Sequence, residues 1–295
     1  MSEERVVTRL VQRAEGYFEV EPRPTPSELA AYYRDKYFAS DHGKTPYAHG
    51  YTEEELAHKQ LQPAETEFVW GRGPGSLLEV GVGEGFTLDY FLKRGWNAKG
   101  LDFTDDGIQA FHPHLADKLM LGDAFVLLDE VIASGERFDL VVCNNVLEHV
   151  IDPMGLLRRL RAIVAKDGLV RIAVPNDGSW LHDQIVARGA ADPDFFVAYP
   201  DHLNYFNTDT LPKALKAAGW KVVEHLGEFP IDIFLLNPNT GYVRDRSKGR
   251  ACHFARIAFE QSLWKSRSIK AVVDYRRGCA LAGIGRNQTA YARPA

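Results

Sequence analysis

Gly81-Val82-Gly83-Glu84-Gly85 carries the clearest chemical signal in this 295-residue chain. An apolar run, Leu77-Leu78-Glu79-Val80, precedes it, and an amphipathic stretch begins near Phe86. Glycines let the backbone turn tightly and approach a ligand with no Cβ in the way. A strand, a glycine turn and a helix start form the nucleotide-binding corner of a doubly wound sheet. The dinucleotide fingerprint needs G-x-G-x-x-G. Here the last glycine comes one residue early and position 86 is Phe, which disfavours NAD and FAD. Asp102 ends the next apolar run, seventeen residues past Gly85, where a carboxylate can accept both hydroxyls of a ribose. Asp123, in Leu121-Gly122-Asp123-Ala124, can accept from an adenine amino group. Two such carboxylates in series behind one glycine loop point to an adenosine-bearing ligand.

These residues need a parallel sheet to hold them at one edge, and the surrounding pattern supplies it. Strands are predicted at Ser76–Val80, Ala98–Asp102, Lys118–Leu121, Phe138–Cys143, Leu169–Val174 and Lys221–His225, with a last one at Asn287–Arg293. Amphipathic segments such as Phe86–Arg94, Ala124–Ser134 and Met154–Ala165 lie between them. Alternation at this spacing implies an α/β fold, a Rossmann-like doubly wound seven-stranded sheet with helices on both faces. Residues 1–65 read as a helical, aromatic extension. Its helix is expected after Ser27, and Tyr32, Tyr33, Tyr37, Phe38, Tyr47 and Tyr51 follow as core-packing rings or as a lid. Residues 66–295 form the main domain, with a helical insertion at about 229–285 before the last strand. Two helices are expected there, at roughly 250–264 and 267–282.

In order and spacing these segments resemble the motifs of class I S-adenosylmethionine (SAM) methyltransferases, over roughly 66–225 with the final strand as the seventh. The resemblance implies a fold and a reaction: methyl transfer from SAM, leaving S-adenosylhomocysteine. It implies that Gly81, Gly83 and Gly85 pass under the methionine part of SAM, with Glu79 beside them. Asp102 then holds the ribose, Phe103 flanks the adenine, and Asp123 and Ala124 frame its edge. The backbone around Cys143 and Asn144 meets the methionine amine or the sulfonium. A finer similarity runs through Pro175-Asn176-Asp177, Asp201-His202-Leu203-Asn204-Tyr205-Phe206, Leu211…Ala218-Gly219-Trp220 and Gly283-Ile284-Gly285-Arg286. These runs resemble a bacterial small-molecule subgroup, some of whose members accompany sugar and surface-polysaccharide biosynthesis. A sugar hydroxyl is the acceptor this similarity implies.

The methyl group of a sulfonium is already activated, so orientation supplies much of the rate. A hydroxyl or amine acceptor must also lose a proton, commonly to a histidine or carboxylate. His149, just past the fourth strand, and His202, in an aromatic loop, are the expected bases. Tyr205 is placed with them, and Asn145 and Asn176 could orient an acceptor. His112 and His114 are expected to be structural. Leu147-Glu148-His149 also resembles the Glu-x-x-Glu-His metal motif of ubiquinone-type O-methyltransferases, but Asn145 stands where the first acid would be. Losing a carboxylate weakens a hard-cation site, so no metal is expected.

Residues 244–277 hold ten Lys/Arg against three acids, a local charge of +7. That segment reads as a solvated helical face or as recognition of a phosphate-bearing small-molecule acceptor. With residues 20–60 it could cover the acceptor. The net charge of -5 argues against a general nucleic-acid binder. No run of about 18 apolar residues exists, which argues against a membrane span. Three cysteines without metal-ligand or CxxC spacing suggest reduced thiols and a cytoplasmic protein. An RNA or protein methyltransferase and a non-catalytic SAM-binding protein are the alternative readings. Composition and motifs leave the oligomeric state open.

Overall fold

The computed structural model of the protein describes residues 9–25, 27–29, 32 and 50–295. The strands are β1 (Arg9–Gln12), β2 (Phe18–Glu21), β3 (Ser76–Val80), β4 (Asn97–Asp102), β5 (Leu119–Leu121), β6 (Phe138–Asn144), β7 (Val164–Pro175), β8 (Asn204–Tyr205), β9 (Trp220–Gly227) and β10 (Asn287–Pro294). The α-helices are α1 (Glu53–Lys59), α2 (Leu61–Trp70), α3 (Phe86–Leu92), α4 (Asp106–Phe111), α5 (Ala124–Ser134), α6 (Pro153–Ile163), α7 (Trp180–Ala187), α8 (Thr210–Ala217), α9 (Gly249–Ser266) and α10 (Ile269–Leu281).

Seven strands form one sheet in the order β5-β4-β3-β6-β7-β10-β9. β3 pairs in parallel with β4 and β6, and the parallel pairing extends to β5 and β7. β10 alone runs against its neighbours, β7 and β9. The order reverses direction at β3 and β6, the switch point where ligands of such sheets bind. The expected doubly wound seven-stranded architecture is therefore the one observed.

Alternating side chains of the central strands supply two cores. Leu78, Val80, Val141 and Cys143 pack with Leu128 of α5, Leu157 and Leu160 of α6, and Leu211 and Leu215 of α8. Leu77, Leu140 and Val142 point the other way, toward Trp70 of α2, Leu88 and Phe91 of α3, and Val273 of α10. Both faces of the sheet are buried, so its central strands are apolar throughout rather than alternating. Local signals set the helix ends. Asp123 accepts from the N–H groups of Phe125 and Val126 to start α5, and Gly135 in the left-handed region ends it. Asp152 caps α6, with Pro153 in its first turn.

The N-terminal extension is helical at residues 27–29, as expected after Ser27, and also carries an unexpected hairpin, β1 against β2, to which β8 adds a third strand. Strands of four residues are too short for their period to show, and β8 lies far away in sequence. Tyr33, Tyr37, Phe38 and Tyr47 lie outside the described residues. The boundary expected at 65/66 falls inside α2, whose buried Glu65 faces the main body. The two helices expected in the insertion are α9 and α10. No helix among the described residues is long and apolar enough to cross a membrane.

Candidate active site

The glycine loop joins the end of β3 to α3. Gly81, Gly83 and Gly85 all take positive φ, at 76°, 55° and 85°. A Cβ on Gly81 would collide with the Val146 side chain. The loop is held from outside by Asp102, His112 and Gly107. Asp102, at the end of β4, accepts the Gly83 N–H at 2.8 Å. His112 donates from Nδ1 to the Glu84 carbonyl oxygen at 2.7 Å, since a carbonyl can only accept. Gly107, in α4, packs so closely that a Cβ there would strike the Gly83 carbonyl and sit 3.0 Å from the Glu84 nitrogen. His112 was expected to be structural, and what it supports is the loop itself.

Glu79, the penultimate residue of β3, lies beneath the loop and is 3% exposed. Burial pushes its carboxyl up to about 8, against the Thr87 hydroxyl and the Leu88 N–H that favour the charged form. Its Oε2 is buried without a hydrogen-bond partner among the described residues. An orphaned carboxyl oxygen lining a cavity fits a cationic ligand. On the other side of the loop, Asp102 also accepts the Thr104 N–H at 3.3 Å. Phe103, next along the chain, is 60% exposed. Asp123 caps α5 beside Ala124. Cys143 is fully buried in the core and burial pushes its thiol well up, so only its backbone can face a ligand. Asn144 follows with its side-chain oxygen bound to Arg171. Asn145 is the one non-glycine residue with positive φ (51°) among those described, a strained position of the sort that collects at functional sites.

A cavity of about 510 Å³ opens above these strand ends. Glu79, Gly81, Gly85, Asn144 and Asn145 form its floor. Its far wall comes from α1 and α9 and is polar: His58, Glu55, His253 and Arg256, with Glu228 and Asn287 below them. Tyr51 and Lys59 close the near side, both bonded to Glu84 of the glycine loop. The sequence reading missed this wall, because α1 and α9 lie some two hundred residues apart and neither carries a recognisable motif. A Thr52–Glu55 capping box starts α1.

Behind the wall lies a buried ionic network. His58 Nε2 is 2.7 Å from Glu260 Oε2. Arg276 donates to Glu260 Oε1 at 3.0 and 2.6 Å and to Glu65 at 2.6 Å. Glu65 also accepts from Tyr291, whose hydroxyl meets Arg171. Glu65, Glu260 and Arg276 are all 3% exposed or less. Burial alone would raise the Glu260 carboxyl, but Arg276 and His58 outweigh it and pull it down to about 2. Much of the +7 segment is thus committed: Arg276 is buried in this network, Arg277 binds Glu224, and Lys270 binds Asp274. Arg256 differs. It lines the main cavity and also a second one of about 300 Å³ walled by Phe195, Phe196 and Tyr242.

The expected bases lie to one side of this cavity and are not among its lining residues. His149 Nδ1 is 2.7 Å from the Asp201 carbonyl, and the His149 and His202 rings meet edge-on at 4.8 Å. Tyr205 is 2% exposed; its hydroxyl donates to the His202 carbonyl and accepts the Ala198 N–H. Asn176 ties three segments together through Gly283, Gly285 and Thr208, which commits its side chain to backbone groups. Glu148, His149 and His202 offer three ligand atoms within 4.8 Å of one another. Two imidazoles and one carboxyl suit a transition metal better than magnesium. Burial pushes the Glu148 carboxyl up to about 8. Asn145 stands where the ubiquinone pattern has its first acid.

A parallel sheet switching direction at a glycine loop, with acids at successive strand ends, defines a nucleoside-binding α/β enzyme of the Rossmann type. Residues 48–225 match the methyltransferase domain family, and the chain belongs to it. That family's methyl donor is SAM. Among curated relatives, a ubiquinone biosynthesis O-methyltransferase of Actinobacillus pleuropneumoniae is 24% identical over 126 residues, 39% of this chain and 54% of that protein. One from Vibrio vulnificus is 26% identical over 155 residues, 47% and 66% respectively. The chain spans about half the length of the curated relatives it matches first. Among solved structures, the Burkholderia thailandensis 1,6-didemethyltoxoflavin-N1-methyltransferase, with bound 1,6-didemethyltoxoflavin and S-adenosylhomocysteine, superposes with a TM-score of 0.53 at 17% identity, covering 98% of this chain and 99% of that one. A SAM-dependent methyltransferase from Archaeoglobus fulgidus gives 0.51 at 14% identity, covering 89% and 98%. These likenesses establish the fold.

Proposed function

We propose that this protein transfers a methyl group from SAM to a hydroxyl of a small polar acceptor held in the 510 Å³ cavity. The observation that carries the reading is the continuity of that cavity. It runs from the glycine loop and Glu79, past Asn144 and Asn145, to a polar wall of His58, His253 and Arg256. SAM supplies an activated methyl group on a cationic sulfur. The protein's part is to hold it along Gly81–Gly85 with Asp102 at the ribose, Phe103, Asp123 and Ala124 at the adenine, and Cys143 and Asn144 at the methionine. Glu79 stands under the loop as an orphaned carboxyl suited to the cationic end.

The acceptor class is narrower still in this reading. Polar walls and few apolar side chains favour a sugar or nucleotide-linked sugar over a greasy ring. Arg256, whose Nε has no hydrogen-bond partner among the described residues, supports an acidic group such as a phosphate on the acceptor. The relatives named as O-methyltransferases support oxygen as the methylated atom. The acceptor's proton goes to a histidine. His149 and His202 are the pair the strand-end argument supplies, and their separate replacement by Ala, with SAM binding intact, tests them. The wall of the cavity supplies two more.

A screen with labelled SAM tests the reading. The panel should hold UDP-glucose, other nucleotide sugars, phosphorylated metabolites and 3,4-dihydroxybenzoate. Label on a sugar hydroxyl is the expected outcome. Label only on the phenolic acid would replace the sugar acceptor, and label on an amine alone would remove the hydroxyl.

A further inference from the structure

The cavity wall carries two histidines, and only one is set up to accept a proton. His253 places Nε2 2.9 Å from Glu55 Oε1, while Arg256 lies 3.1 Å from its Nδ1. A carboxylate accepts and a guanidinium donates, so both nitrogens of His253 are engaged. His58 is different. Its Nε2 is 2.7 Å from Glu260 Oε2, and no hydrogen bond engages Nδ1 among the described residues. Glu260 is 1% exposed and ionised, so it can only accept, and Nε2 must carry the hydrogen. That fixes the tautomer in which Nδ1 holds the lone pair.

We propose that His58 is the base that takes the acceptor's proton, with Glu260 as the positioning residue that orients it. This rests on the methyl-transfer reading above. The acceptor's O–H bond breaks toward His58 Nδ1 as its oxygen forms the bond to the methyl carbon. The carbon–sulfur bonding pair stays on sulfur, which leaves a neutral thioether and a neutral methyl ether. The proton rests on His58, and the imidazolium is stabilised by the carboxylate of Glu260. Arg276 and Glu65 lock Glu260 from behind, so the carboxylate cannot swing away. The other charges around His58 balance. Lys59 on its own helix is paired with Glu84, and His253 with Glu55. Arg256 and Glu228 face the same cavity from α9 and from just past β9.

The test joins a spectroscopic readout to kinetics. Histidine side-chain nitrogen NMR of the full chain near neutral pH should show His58 as the Nε2–H tautomer, with that preference lost in Glu260→Gln. The opposite tautomer in the wild type would overturn the assignment without any donor or acceptor present. His58→Gln keeps a donor for Glu260 but removes the base. With labelled SAM and UDP-glucose or 3,4-dihydroxybenzoate as probes, it should lower kcat by about 10²–10⁴-fold. KM and SAM affinity by calorimetry should hold within a few-fold. Glu260→Gln should lower kcat less than His58→Gln and spare KM. Unchanged kcat in His58→Gln would overturn the proposal. Failure of the wild type to bind SAM or to methylate either probe would count instead against the methyl-transfer reading, and the tautomer would still judge His58.

Discussion

Replacing Arg276 with methionine removes the cation that bridges two buried carboxylates, Glu65 and Glu260, at 2.6 Å each. Breaking a buried pair by deleting one partner costs about 3–5 kcal/mol, because the remaining charge is left in low dielectric. The acid dependence gives an independent estimate. The Glu260 carboxyl falls from an ordinary 4.5 to about 2 in the folded chain, with Arg276 and His58 prevailing over burial. That depression corresponds to about 3 kcal/mol of stability. A carboxyl with a depressed folded value contributes fully above its unfolded value. Its contribution is lost as pH falls from about 4.5 toward 2. Urea unfolding followed by tryptophan fluorescence, at pH 7 and down a series to pH 3, reads both quantities. At pH 7 Arg276→Met should be about 3–5 kcal/mol less stable than the wild type. Toward pH 3 the gap should narrow by about 2 kcal/mol, as the wild type loses what the variant never had. A cost below about 1 kcal/mol, or a gap independent of pH, would refute the view that Arg276 is the keystone of this network.

Other substitutions probe the glycine loop and its surroundings. Gly107→Ala, which presses a methyl group on the Gly83 backbone, should cost about 1–3 kcal/mol and weaken SAM binding, whereas unchanged affinity by calorimetry would mean the loop yields freely. Gly83→Ala points into open space at φ 55° and should cost only about 1 kcal/mol. Glu79 is held protonated by burial near neutral pH, so a cationic ligand should draw its proton off. Calorimetry in buffers of differing ionisation heat should find the wild type releasing about one more proton on binding SAM than Glu79→Gln, and equal proton counts would disprove it. Tyr205→Phe breaks two bonds to backbone and should cost about 1–3 kcal/mol in urea unfolding with little effect on turnover; a large kcat loss at full stability would return Tyr205 to the chemistry.

The sheet was legible because its central strands are largely apolar runs bounded by Gly, Asp or Asn. α5 is predicted at Ala124–Ser134, where it is found, because Asp123 and Gly135 mark its ends locally. Asp102 was legible from its distance to Gly85, although its bond to the Gly83 N–H was not. What stayed hidden is long-range. The short strands β1 and β2 have too few residues to show a period, and their partner β8 is distant in sequence. Gly107 looks like any helix glycine until it packs on the loop. Arg276 reads as one more charge in a basic run, yet it is buried against residues from α2 and α9. His149 and His202 stand out in the sequence because they follow predicted strand ends. His58 could not compete on that ground, since only tertiary packing brings α1 over the strand ends.

The central claim is that the Gly81–Gly85 cavity, with Asp102 at its edge, is where SAM binds. Isothermal calorimetry of SAM against the wild type and Asp102→Ala tests it most directly. One site per chain in the wild type, and at least about tenfold weaker binding in the variant, is the predicted result. SAM binding of equal strength in both proteins, or no binding to the wild type, would contradict it.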